Sequence, residues 1–170
     1  MRLDLGPSRL GAVRLVAIDG PSGSGKSTLA GAVAAELHAP VVSTDDFATW
    51  EDPVSWWPRL VGGVLAPLTA GRPGGYVRTE WTNGRPHPGA TVTVEVSDVL
   101  VLEGVSAGRR SIRPRLSALI WCEVTGRAER LARAVARDGE ASREPLIAWQ
   151  DFEEGWFAVD GTKAAADHIA

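Results

Sequence analysis

Cysteine is nearly absent. Cys122 is the only one in 170 residues, so an internal disulfide and a cysteine-based zinc site are both excluded. Lysine is almost as scarce: of eighteen basic residues only Lys26 and Lys163 are lysines, and the rest are arginines. Neither sign of charge dominates. Eighteen Lys plus Arg against twenty-one Asp plus Glu leave a formal charge of −3, which speaks against a protein whose main task is gripping nucleic acid by its phosphates. No run approaches the roughly 18 apolar residues that a membrane-spanning helix needs. The first fifteen residues carry Asp4 and no continuous apolar stretch, so no secretory leader is expected. These absences point to a soluble cytoplasmic protein, and the length suits a single domain over residues 1–170.

What is present alternates in texture. Short apolar runs at Val13–Ile18, Pro40–Ser43, Val99–Leu102 and Ala118–Val124 read as buried strands. Between them, Lys26–Leu37, residues 53–70, Arg127–Asp138 and residues 145–158 read as helices, the second weakened by Gly62-Gly63. Asp167–Ala170 reads as a short last strand. Strands alternating with helices predict an α/β fold around a parallel sheet. The segment at about 74–98 differs: Tyr76–Trp81 and Thr91–Val96 flank Asn83-Gly84 and two prolines, the pattern of an inserted β-hairpin.

Gly20-Pro-Ser-Gly-Ser-Gly-Lys-Ser27 matches G-x-x-x-x-G-K-[ST], a phosphate-binding loop set between a strand and a helix. The spelling follows from the chemistry. A polyphosphate needs many converging N–H donors, and glycines let the backbone turn and approach that closely. Gly20, Ser22, Gly23, Ser24, Gly25, Lys26, Ser27 and Thr28 are therefore the candidate nucleotide-binding residues. Lys26 would reach the β- and γ-phosphates, and the Ser27 hydroxyl would ligate Mg²⁺.

Three further features surround this loop. Asp45-Asp46 follow the second strand, where ligands sit in open α/β sheets. A carboxylate there can accept a proton from an attacking hydroxyl or help hold Mg²⁺, although acids are also common helix caps at such turns. Glu103 closes the strand Val99–Leu102 and is the third candidate metal residue beside Ser27 and Asp45. Arg127, Arg130, Arg133 and Arg137 lie within about 120° of one helix face. Such a stripe suits a lid over transferring phosphates, or a solvated face paired with Glu123, Glu129 and Glu140. Trp149, Phe152 and Trp156 fit a core better than a substrate stack.

Taken in order, GPSGSGKST, STDDF, DP-x-x-W, a tyrosine-led hairpin, VLVLEG, RLARAVARD and a closing ADHI resemble the uridine kinase branch of the P-loop kinases, from about residue 13 to 170. The resemblance implies a five-stranded parallel sheet flanked by helices, a hairpin insertion at about 74–98 and an arginine-bearing lid at about 133–146. It also implies phosphorylation of a small-molecule hydroxyl with ATP or GTP and Mg²⁺, a nucleoside such as uridine or cytidine being the expected acceptor. Asp45 matches the family's catalytic acid, and Arg133 and Arg137 match its lid arginines. Tyr76 matches an aromatic residue of the acceptor pocket, and Arg78 and Trp81 on the same hairpin are expected to face the acceptor. The chain departs from the pattern in places: Val77 stands where the family has Asp, Trp81 where it has a nucleoside-binding His, Asp46 where it often has Ser, and the lid after Asp138 is shorter and lacks the family's Glu-Arg-Gly-Arg pattern. Losing such polar groups removes hydrogen bonds that reject near-analogues. Another acceptor (a nucleotide, a vitamin precursor, an antibiotic), a hydrolytic ATPase and a nucleotide-binding regulator that transfers nothing stay open. So do the choice between Asp45 and Asp46 as base, the donor base and self-association.

Overall fold

The computed structural model describes residues 4–82, 84–124 and 126–170. Residues 1–3 of the expected leaderless start and Asn83 of the expected hairpin turn lie outside them. Five strands form one parallel sheet: β1 (Arg14–Asp19), β2 (Val41–Ser43), β5 (Val99–Glu103), β6 (Leu116–Trp121) and β7 (His168–Ile169), in the spatial order β2-β5-β1-β6-β7. The middles of β1, β5 and β6 are almost wholly apolar because helices cover both faces. Side chains alternate between those faces. Leu15, Ala17, Leu100, Leu102 and Leu119 join one cluster with Trp56, Trp57, Leu60 and Leu65, whereas Val16, Ile18, Val101, Ala118 and Ile120 meet Ala30 and Val33 in another.

Helix α1 (Lys26–Leu37) supplies the second cover. The first comes from α2 (Trp57–Leu60), a π-helical turn over Val61–Leu65 and α3 (Ala66–Thr69). Gly62-Gly63, expected to weaken this helix, lie within the π turn. A Cβ on Gly63 would run into the Gly75 carbonyl, and one on Gly74 into the Gly63 carbonyl. The glycines thus let the hairpin backbone lie directly on the helix.

The hairpin consists of β3 (Gly74–Thr82) and β4 (Arg85–Val94), antiparallel, from Gly74 opposite Val94 to Thr82 opposite Arg85. It is longer than its sequence suggests because Pro86 and Pro88 sit inside β4. A two-stranded ribbon has outer edges on which a missing N–H costs no ladder bond. Helices α4 (Arg127–Asp138) and α5 (Arg143–Asp160) follow β6 and are joined through Gly139 and a 3₁₀ turn. β6 stops at Trp121, earlier than expected, where Cys122 still donates its N–H to the Asp19 carbonyl before the chain departs. No described helix is long and apolar enough to cross a membrane.

The register has one consequence for chemistry. Glu103 lies opposite both Ile18 and Ser43, and Asp19 opposite Trp121, so the carboxyl ends of β1, β2, β5 and β6 end level. Loops carrying the motif residues therefore leave from one edge of the sheet.

Candidate active site

The phosphate-binding loop leaves β1 at Gly20 and enters α1 at Lys26. Gly23 and Gly25 have φ of 75° and 94°, a left-handed backbone costly for other residues. A Cβ at Gly23 would collide with the Arg130 carbonyl, whereas one at Gly25 would meet nothing within 4 Å. The loop is thus packed on its α4 side and open at its mouth. Lys26 is largely buried, and its ammonium donates to the Pro21 carbonyl at 2.9 Å, folded back across the loop. The buried Ser24 hydroxyl has no hydrogen-bond partner.

Glu103 gathers the neighbouring residues. It accepts from Ser43 Oγ at 2.7 Å, and Ser27 Oγ lies 3.4 Å from both its oxygens. Burial pushes its carboxyl up; the Ser43 hydrogen bond opposes that, the Asp45 charge adds to it, and Lys26 opposes it. Ser43 also accepts the Asp45 N–H at 3.3 Å, which anchors the turn after β2. The two acids of that turn are treated differently: Asp46 accepts a 2.6 Å hydrogen bond from the Tyr76 hydroxyl, whereas Asp45 is exposed.

The arginine stripe divides likewise. Arg137 forks onto Asp138 at 2.6 and 2.7 Å; that hydrogen bond holds it above its ordinary range, and the charges of Asp45 and Glu103 add to the effect. Its direct partner is Asp138, the neighbouring residue on α4. Arg133 pairs with Glu129 one turn away on exposed surface, and Arg127 ties α4 to Asp151 and Glu154 of α5. Arg130 donates to the Val124 carbonyl. Of the expected glutamate partners only Glu129 is used, since Glu123 takes Lys163 and Glu140 takes Arg143.

Of the hairpin residues, Tyr76 is buried, tilted on Phe47 with centroids 4.5 Å apart. Burial and the Asp46 carboxylate both push its phenol up. Arg78 pairs with Glu80 on the surface, and Trp81 meets Trp50 edge-on at 5.2 Å. Trp149 packs partly on the main core and Phe152 is half-buried, so neither is wholly a core residue.

Two acids that sequence reasoning missed hold the loop. Asp19 is fully buried and accepts from the N–H groups of Gly20, Ser106 and Gly108, which fastens the loop's entrance to the segment after β5. Burial pushes it up to about 7 against the pull of those donors. Glu153 of α5 accepts from the N–H of Ser22 at 2.9 and 3.0 Å and from its hydroxyl at 2.8 Å. An acid closing an apolar strand before Gly-Pro was the available signal for Asp19. Glu153 had none, being 131 residues from its partner.

The sequence profile of the cytidylate kinase family matches residues 16–48, the unit from β1 through the Asp45-Asp46 turn. No curated protein matches the chain. Among solved structures, a protein described as a candidate uridine kinase from Bacillus stearothermophilus superposes with a TM-score of 0.63 at 18% identity, covering 99% of this chain and 90% of that one. A candidate fructose transport system kinase from Silicibacter sp. TM1040 gives 0.63 at 22%, covering 99% and 93%. The fold is that of the P-loop kinases. At these identities the likeness is one of architecture.

The residues present fit the groups that a P-loop kinase fold accommodates. The orphaned Ser24 hydroxyl, the open face at Gly25 and a first turn of α1 free of acidic residues suit an anionic phosphate tail. Ser27 and Glu103 offer hard oxygen donors for Mg²⁺. Among the described residues no three His, Cys, Asp or Glu converge into a metal cage.

Proposed function

We propose that this protein transfers the γ-phosphoryl group of ATP or GTP to a hydroxyl of a small molecule. The observation that carries this reading is the convergence of Lys26, Ser27, Glu103 and Asp45 at one sheet edge, around a loop whose mouth is open. The amides of residues 23–28 hold the phosphates, and Lys26 leaves Pro21 to meet the β/γ oxygens. Ser27, together with Asp45 or Glu103, would hold Mg²⁺, and the ion would supply charge neutralisation on the transferring group. Asp45 receives the acceptor's hydroxyl proton as its oxygen bonds to phosphorus and the bond to the leaving diphosphate breaks. Arg137, with Arg133 on the same helix, closes positive charge over the transferred group. The work is mainly positioning and charge stabilisation.

A nucleoside such as uridine or cytidine is the acceptor class that the sequence resemblance favours, and the candidate uridine kinase of like fold supports it. The candidate fructose transport system kinase supports a wider range of alcohols. The exposed Asp45 favours a transferase over a switch, because a protein that only senses nucleotide needs no free base beside the phosphates. A coupled ADP-release assay across nucleosides, nucleotides and small alcohols tests the reading. Acceptor-dependent ADP release is expected. Release unaffected by any acceptor would make the protein an ATPase, and bound nucleotide without turnover a regulator.

A further inference from the structure

A half-open groove of about 370 Å³ is walled by Trp50, Pro53, Pro145, Ala148, Trp149 and Phe152. Its size suits one or two fused rings. Three connections bind it to the transfer site. Trp50 is five residues beyond Asp45, in the segment that Asp46 and Tyr76 pin to the hairpin. Trp149 precedes Glu153 by four residues, so the cavity wall and the carboxylate gripping Ser22 share one face of α5, about 6 Å apart along its axis. Trp81 of β3 touches Trp50, and Trp50 touches Trp149 edge-on at 6.0 Å, which gives the hairpin, the Asp45 segment and α5 a continuous aromatic rim.

The chemistry of the lining is one-sided. The six side chains hold no charge and no hydrogen-bond acceptor, and their only polar atoms are the indole N–H groups of Trp50 and Trp149. Ring edges presented at the rim favour another ring inside. A pyrimidine base entering here would bring N–H donors that these side chains cannot satisfy, and a polyol would bring several hydroxyls. A donor turned into the walled side finds no side-chain acceptor there, and each one left unpaired costs affinity. The core takes in Trp56, Trp57 and Phe47, yet Trp50 remains 36% and Trp81 41% exposed, both on this rim.

We propose that this cavity seats the ring of the phosphate acceptor, and that the acceptor is an uncharged aromatic alcohol without ring N–H donors. The inference rests on the phosphotransferase reading and narrows it, away from nucleosides and sugars. In the transfer step the alcohol's O–H proton passes to Asp45 while its oxygen takes the phosphoryl group from the departing diphosphate.

The test is calorimetry on the whole protein with Mg-ADP present, titrating 2-(2-naphthyl)ethanol, uridine, cytidine and fructose, with Ala148→Glu as the variant. Ala148 is an exposed α5 residue, and its replacement sets a carboxylate in the wall without touching the core. The naphthyl alcohol is expected to bind at least tenfold more tightly than the other three, and A148E to weaken it at least tenfold while Mg-ADP binding reports an intact fold. Tighter binding of uridine, cytidine or fructose would overturn the inference, as would no binding of the naphthyl alcohol or an indifferent A148E. So would a dimer that A148E dissociates without any effect on the alcohol. All these outcomes leave the kinase reading standing. Failure of Mg-ADP and Mg-ATP to bind would sink that reading instead.

Discussion

Glu153 of α5 takes both hydrogen-bond donors of Ser22, so the helix following the arginine-bearing α4 has a direct grip on the phosphate loop. The carboxyl is 1% exposed; burial pushes it up while Ser22 pulls it down. Glu153→Ala leaves the Ser22 N–H without its acceptor, at a cost of about 1–3 kcal/mol. It is expected to raise the KM for ATP about tenfold and to move the KM for the acceptor little. Glu153→Gln keeps an acceptor oxygen and is expected to recover most of the loss. Equal damage to both KM values, or no rescue by Gln, would reduce Glu153 to a packing residue.

Asp19 predicts a pH dependence. Its folded value of about 7 lies above its ordinary 3.8, so the folded state holds the proton more tightly than the unfolded chain. Its stabilising contribution is therefore complete below about pH 4 and is lost as pH rises towards 7. At about 1.4 kcal/mol per unit, wild-type stability relative to Asp19→Asn should fall by roughly 4 kcal/mol over that interval. Denaturant unfolding of both proteins at pH 4, 5.5 and 7 measures it. A difference that stays flat, or grows with pH, contradicts the burial argument.

Tyr76 has two roles that one substitution separates. Tyr76→Phe keeps the ring against Phe47 and loses the 2.6 Å hydrogen bond to Asp46. A stability loss of about 1 kcal/mol is expected, whereas Tyr76→Ala should cost about 3–5 kcal/mol. Because the freed Asp46 can then shift the Asp45 turn, Tyr76→Phe is also expected to lower kcat several-fold. Thermal unfolding and steady-state kinetics check both effects.

Asp45→Asn keeps the shape of the turn and removes the carboxylate proposed to take the acceptor's proton. Nucleotide affinity is expected to stay within about threefold, while transfer falls at least a hundredfold, in the range for loss of a general base. Turnover within a few-fold of wild type would move the role to another residue or end the transferase reading.

Several of these residues were legible in the chain and others were not, for physical reasons. The continuous apolar runs before Gly20 and Glu103 announce buried parallel strands, since such strands are covered on both faces. The phosphate loop carries its own backbone demands in its glycines. Helix α4 runs from Arg127 to Asp138, the bounds its sequence pattern indicates, because its arginines and small apolar residues keep a helical period. The grip of Glu153 on Ser22 and of Asp19 on Gly108 joins segments 131 and 89 residues apart, and no local pattern encodes such a pairing. The hairpin strands include Pro86 and Pro88 because prolines argue against strands only where a ladder bond is required. Trp149 and Phe152 have core-like spacing, and only the tertiary arrangement shows that they share their apolar surface with a cavity.

The amides around Gly25, with the Lys26 ammonium, are expected to bind the phosphate tail of a nucleotide. Titrating Mg-ATP and Mg-GTP into the wild-type protein by calorimetry tests it most directly, with Lys26→Ala in parallel. A saturable heat with at least one triphosphate is predicted, weakened about a hundredfold or more in the variant. No heat with either nucleotide, or equal affinity with and without the ammonium, would contradict it.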